Sequence, residues 1–319
     1  MHSEDRRALL LHLVTLAGLF ALQFVLPAYH HTNFARIMVL ACYAMGYNLL
    51  MGYVGLLSLG HAMLFVAGLY GAGLSAEHLG FGPLTAFVTG VVAGSVLSFA
   101  VGMIALRTSG VAFMIVTLMF SQAVFLSTLY FSGLTGGDEG FVLQGAARRI
   151  HAGSIILDLS NRTTRYNLAL LLFSICLMAS FALVRSSKGR VFIAIRENEE
   201  RTVMLGYDSF RYKLLATVLS GTMSAASGAA YALLFAYVGS TFASIQYSIL
   251  PLLWVLLGGV GTTLGPLFGT AAMFYLIDFT SDYTSSYLLF VGLALVLIVL
   301  LFPQGILGTV RAKAAPWLP

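Results

Sequence analysis

The sequence predicts an all-α integral membrane protein, a polytopic helical bundle of about 8–10 transmembrane helices with a helix on its cytoplasmic side. Three observations predict it. The 319 residues are 59% hydrophobic and 9% charged, with a mean hydropathy of +0.91, too little polarity to cover a water-facing surface. Apolar runs of about 20 residues, the length that crosses hydrocarbon as a helix, recur along the chain. The runs are continuous rather than alternating, so of the two architectures that satisfy backbone groups in lipid, helices are favoured over a barrel.

The first element, "MHSEDRRALLLHLVTLAGLFALQFVLPAYHH", sets Arg6 and Arg7 before an apolar run. No small-x-small cleavage site follows, so it reads as an uncleaved first helix with its N-terminus inside. Further spans are expected near 34–51, 54–76, 83–106, 110–132, 166–184, 212–238, 246–258, 263–281 and 286–302, after a first near 8–27. The segment 246–258 is short for a bilayer and ends at Gly258-Gly259. It reads as half a helix or a re-entrant piece.

Ten crossings would leave both termini in the cytoplasm. On that topology 12 of the 17 basic residues fall inside, among them Arg107, Lys188, Arg190, Lys213 and Arg311, as the positive-inside rule requires. Arg36, Arg148, Arg149, Arg162 and Arg165 fall outside, four of them in a polar loop at 133–165 that is long enough to carry a short helix or hairpin. The net charge of +5 is therefore read as attraction to anionic lipid, not nucleic acid. Cys42 and Cys176 lie in apolar runs and read as buried hydrophobes rather than a disulfide.

Small residues repeat at helical spacing in three stripes: Gly90, Gly94, Ser98, Gly102; Ser220, Ser224, Gly228, Ala232; and Gly261, Gly265, Gly269. Each is expected to line one helix face and admit a neighbouring backbone within the same subunit. The stretches "GYVGLLSLGHA" (52–62) and "GGVGTTLGPLFG" (258–269), both glycine-punctuated approaches to an apolar helix, could be relics of an internal repeat.

Chemistry is sparse. The three lysines, Lys188, Lys213 and Lys313, do not follow glycine, so the chain has no phosphate-binding loop. No histidine–cysteine grouping has metal spacing, no catalytic set is evident, and no paired carboxylates sit within a span as an ion relay would want. Any uphill transport must draw energy from elsewhere.

Charge instead concentrates in "RSSKGRVFIAIRENEERTVMLG" (185–206), with eight charged residues in 22 positions. Val191, Ala194 and Ile195 recur at helical spacing, and Val203, Met204 and Leu205 follow a polar cluster. The mixed charges suit a protein contact better than a lipid surface. Glu200 followed by Gly206 matches the E-x-x-x-x-x-G core by which importer permeases dock on ATPases.

The chain as a whole resembles the M-type permease of the branched-chain amino-acid (Liv-type) ABC importers. The resemblance lies in "GYVGLLSLGHAMLFVAGLYGA" (52–72), "LTGGDEGF" (134–141), "GRVFIAIRENEERTVMLGYDSFRYKLLATVLSGTMSAASGAAYA" (189–232), "LLGGVGTTLGPLFGT" (256–270) and "LFPQGILG" (301–308). It implies one permease domain over 1–319 in a bacterial inner membrane, with an ATPase-coupling loop at 185–211. It also implies a second, H-type permease, two ABC ATPases carrying ATP-Mg, a periplasmic solute-binding protein, and no cofactor in this chain. The coupling role carries over to Gly189, Arg190, Ala194, Ile195, Arg196, Glu197, Asn198, Glu200 and Gly206, whose apolar face would seat in an ATPase cleft. Arg201-Thr202 depart from the two alanines of the general loop. For the translocation pathway the candidates are Asn48, Ser58, His61, Gly136, Gly137 and Gly259, polar or glycine positions beside breaks in the helices. Related solutes, among them urea, amides and small aromatic acids, fit the same motifs. A self-contained channel or secondary transporter is the competing class.

Overall fold

The computed structural model describes residues 3–152, 155–283 and 304–313, with scattered positions between 289 and 302. The helices are α1 (Ser3–Leu22), α2 (Ala28–Asn48), α3 (His61–His78), α4 (Pro83–Ala105), α5 (Val111–Tyr130) and the short α6 (Ser132–Thr135). Then follow α7 (Arg162–Arg185), α8 (Ser187–Glu197), α9 (Glu199–Met204), α10 (Ser209–Phe235), α11 (Ile245–Gly258), α12 (Gly265–Tyr283) and α13 (Gly305–Lys313). Among the described residues five helices are long and apolar enough to cross a membrane: Ala28–Val54, which includes a π-helical turn at Leu49–Val54, and α4, α5, α7 and α10. The chain is an all-α, multi-pass membrane protein. The expected span at 286–302 lies largely outside the described residues.

Sheet is confined to one end of the bundle. Strands β1 (Phe141–Val142) and β4 (Tyr237–Val238) pair antiparallel, and β2 (Arg149–Ala152) and β3 (Ile155–Asp158) form a hairpin. The polar loop thus holds both the short helix and the hairpin its length allowed. Its Arg148 fixes it to the end of α10 by donating to the carbonyls of Leu233 (3.0 Å) and Leu234 (2.8 Å).

Packing centres on α10. Gly46 of α2 and Gly68 of α3 lie so close to it that a Cβ would strike the Ser220 and Ala225 carbonyls. Gly94 of α4 abuts Ala225, and Gly228 of α10 abuts the Phe65 carbonyl. Lipid gives helices no hydrophobic reason to associate, so close backbone approach and interhelical hydrogen bonds must hold them. Ser98 donates to the Thr217 carbonyl (2.8 Å) and Ser227 to the Val39 carbonyl (2.6 Å), both buried. The first two small-residue stripes therefore pack within the subunit. In the third, Gly269 meets Trp254 of α11, but Gly261 stands in the turn before α12, not on a helix face.

One expected boundary is corrected. The span placed at 54–76 begins only at His61, because Gly55 has a left-handed φ of 81° and ends the π turn. Residues 55–60 form an irregular link, and at Gly60 a Cβ would meet the Thr117 backbone of α5. Helix α11 is short, as read from sequence, with 14 residues and Pro251 inside it.

The candidate docking and gating surface

Helices α8 and α9 cap one end of the bundle, opposite the β hairpin. Each start is fixed by a side-chain cap on an orphan N–H group. Ser186 Oγ accepts from Gly189 (3.2 Å), Asn198 Oδ1 from Arg201 (2.9 Å) and Asp208 Oδ1 from Arg211 (3.1 Å), the last opening α10. Gly206, with φ 90°, lets the chain turn out of α9, a conformation that costs a residue with a Cβ. Glu199 reaches Lys213 of α10 at 2.5 Å, tying α9 to the spanning helix. Partial burial pushes the Glu199 carboxyl up, but the Lys213 ammonium and hydrogen bonds from Lys213 and Ser209 outweigh it and hold the pKa below the usual value.

The apolar face expected to meet a partner is corrected by the burial. Val191, Phe192 and Ile195 are buried against this chain's own bundle, and so is Gly189, packed on the Leu183 and Val184 carbonyls. Arg196, at the helix end, is exposed overall but donates to the Gly52 carbonyl. Outside remain Ile193 of α8, 37% exposed, and a tip at the end of α9, where Val203, Met204 and Leu205 are 50%, 84% and 76% exposed. Arg190, Glu197, Asn198, Glu200 and Arg201 of the same segment are exposed too, and Ala194 is half-buried. An exposed apolar tip in a charged segment has the make-up of a protein contact.

The pathway candidates do not converge on one site. Asn48 spends both ends of its amide on the turn between α11 and α12, donating to Thr262 O (2.9 Å) and accepting from Gly261 N (2.9 Å). Gly259, with φ 122°, lies in the same turn against α13. Ser58 accepts from Gly60 N (3.2 Å) in the other link. His61 is buried and its Nε2 lies 2.8 Å from Ser220 Oγ, which itself donates to the Gly46 carbonyl at 2.5 Å. Gly136 and Gly137, with φ 75° and 60°, turn the chain out of α6 at the opposite end. Sequence reading passed over Ser220 as a stripe residue and Arg311 as loop charge. Arg311 donates to Gly261 O at 3.2 Å, and nothing in its spacing signals that.

The two glycine links therefore meet in space, joined by Asn48 and flanked by Arg196 and Arg311. The large groove elsewhere, about 570 Å³ between α4, α7 and α10, is lined almost wholly by apolar side chains such as Phe87, Leu172, Ile175 and Met223. A zwitterionic solute would find few partners there.

Residues 32–302 match the family described as branched-chain amino acid transport system, permease component. The chain belongs to this family. It is a transport subunit, the permease part of an ABC importer complex. Among its relatives are the high-affinity branched-chain amino acid transport system permease proteins LivM of Salmonella typhimurium and Escherichia coli. Each is 27% identical over 294 residues, 86% of this chain and 69% of the relative. The probable branched-chain amino acid transport permease LivM of Methanocaldococcus jannaschii is 27% identical over 190 residues, 57% of this chain and 52% of that one. No solved structure matches. The M-type resemblance read from the motifs agrees with these relatives, and four of the five quoted stretches lie wholly within the matched residues.

Proposed function

We propose that this chain carries branched-chain amino acids across a bacterial inner membrane as the M-type half of an ABC importer. In this reading both termini and the α8–α9 end face the cytoplasm. Two ABC ATPases bind there with ATP-Mg, an H-type permease pairs laterally, and a periplasmic binding protein delivers solute at the hairpin end. This chain catalyses nothing and holds no cofactor. Relatives named for branched-chain amino acid transport support the solute class.

The observation that carries the reading is the exposed apolar tip at Val203, Met204 and Leu205 within its charged segment. An uncovered patch of this kind on an otherwise lipid-embedded chain calls for a soluble partner. The sorting of the arginines supports the sidedness. Arg6, Arg7, Arg107, Arg185 and Arg190 lie at the tip's end of the bundle, and Arg36, Arg148, Arg162 and Arg165 at the other.

The test is purification of the tagged chain in mild detergent, with co-purified proteins identified by mass spectrometry. Two ATPases and a second permease are expected in the wild type, and the ATPases should be lost in Glu200→Lys and Gly206→Trp. A chain that emerges alone with detergent stripping controlled for, or ATPases retained by both variants, refutes the docking assignment. Leucine, isoleucine and valine are the expected ligands of the associated binding protein.

A further inference from the structure

We infer that Arg196 is a transmission residue, not a docking one. It fastens the end of α8 to both glycine links, so that displacement of α8 moves the α2–α3 connection and the α11–α12 hairpin together. The inference rests on the docking reading above.

Three contacts converge on this arginine. Its Nη1 donates to the Gly52 carbonyl, in the π turn that ends the α2 run. Its Cγ lies over Gly55, where a Cβ would stand 3.0 Å away, and its Nη1 lies beside Gly261, where a Cβ would stand 3.2 Å away. Gly52 and Gly261 are themselves in contact, since a Cβ on Gly52 would reach the Gly261 nitrogen at 2.8 Å. Asn48 bonds to the same turn from the α2 side, and Arg311 of α13 holds the Gly261 carbonyl from the other. Glycine is required here twice over. Gly55 and Gly261 both have left-handed φ, and a side chain would crowd the Arg196 Cγ at one and its Nη1 at the other.

The chemistry suits arginine. A planar guanidinium can hold a carbonyl of one turn through one nitrogen while lying flat against a second turn, which a point-charge ammonium cannot do. The rest of α8 makes the attachment stiff. Val191, Phe192 and Ile195, on the same helix, are buried in the bundle, so α8 is seated as a packed element and any displacement of it carries Arg196 along. A connection and a hairpin pinned at one guanidinium would move as a pair.

The test uses the assembled transporter with spin labels on Leu79→Cys and Asp282→Cys, exposed positions at the far ends of α3 and α12. Native Cys42 and Cys176 are buried and should escape labelling. Because the pinned elements move as a pair, trapping ATP with vanadate is expected to leave the inter-label distance unchanged in the parent. Arg196→Ala, still co-purifying the ATPases, should let that distance shift on trapping, and Arg196→Lys should show a smaller shift. Should Arg196→Ala prove unstable, Arg196→Lys carries the test, with a shift above the parent's expected. A shift in the parent, or an unchanged distance in the variants, overturns the inference. Loss of the ATPases in Arg196→Ala makes Arg196 a docking residue and also overturns it. The docking reading fails separately, by retention of the ATPases in both Glu200→Lys and Gly206→Trp.

Discussion

Asn48 of α2 and Gly261, 213 residues later, share a buried hydrogen bond of 2.9 Å, and the other end of the same amide donates to Thr262. One side chain thus satisfies two main-chain groups of a turn that has no helix of its own. A buried donor or acceptor left without a partner costs about 1–3 kcal/mol. Asn48→Ala strips both and should lower stability by about 2–5 kcal/mol, read as a fall in unfolding temperature in detergent. Asn48→Asp keeps the acceptor but sets an acid against the Thr262 carbonyl, and should be no more stable than the alanine variant. A change within about 0.5 kcal/mol in both would show that the amide is not what holds the turn.

The α11–α12 hairpin closes where Gly269 touches the Trp254 carbonyl and Gly258 touches Gly265. A side chain there must separate the two helices, and in lipid nothing replaces the lost contact. Gly269→Leu is expected to abolish membrane accumulation of folded protein. Gly18→Ala, in α1 with open space around it, should leave accumulation unchanged. Equal yields from both variants would remove close packing as the reason for glycine at 269.

The Glu199–Lys213 pair gives α9 a pH dependence. Its carboxyl is shifted down in the folded chain, so its contribution is present above the unfolded glutamate pKa, about 4.3, and is lost as pH falls through the lower folded value. The glutamate is 41% exposed, which limits the pair to about 1 kcal/mol after screening. Hydrogen-exchange protection at residues 200–207, taken relative to the intrinsic rate at each pH, should therefore fall on acidification from pH 6 to pH 3.5. In Glu199→Gln it should be low at both pH values. Identical behaviour of variant and parent would dissociate the pair from the anchoring of α9.

Met204 and Leu205 carry the largest apolar exposure of the α9 tip. Aspartate at either position touches nothing in this chain and should leave the unfolding temperature within about 0.5 kcal/mol of the parent. The same substitution would desolvate a charge in any partner pocket, so ATPase recovery should fall at least tenfold. Full recovery with both variants would move the docking contact elsewhere on the loop. Ile195→Asp should behave in the opposite manner. It buries a charge in the bundle and should lower stability by about 3 kcal/mol or more, whatever its effect on docking.

Much of the fold could be read along the chain. Apolar runs mark α4, α5, α7 and α10 to within a few residues, because lipid demands both length and apolarity. The helix starts at 187, 199 and 209 follow from Ser186, Asn198 and Asp208, whose side chains cap the residues beside them. The loop at 185–206 announced itself by charge. Its inward-facing half did not, since Val191 and Ile195 on an amphipathic helix look alike whether they meet their own bundle or another protein.

The sequence by itself determined the class, most of the described spans and the family, all of which depend on local composition or on contiguous motifs. The tertiary structure alone decided that Arg196 reaches the Gly52 carbonyl, that Arg311 and Asn48 converge on Gly261, and that His61 lies against Ser220. The physical reason is separation. Those partners are 50 to 213 residues apart. A guanidinium or amide finds a main-chain carbonyl, which every residue carries, so no letter in the sequence marks the acceptor.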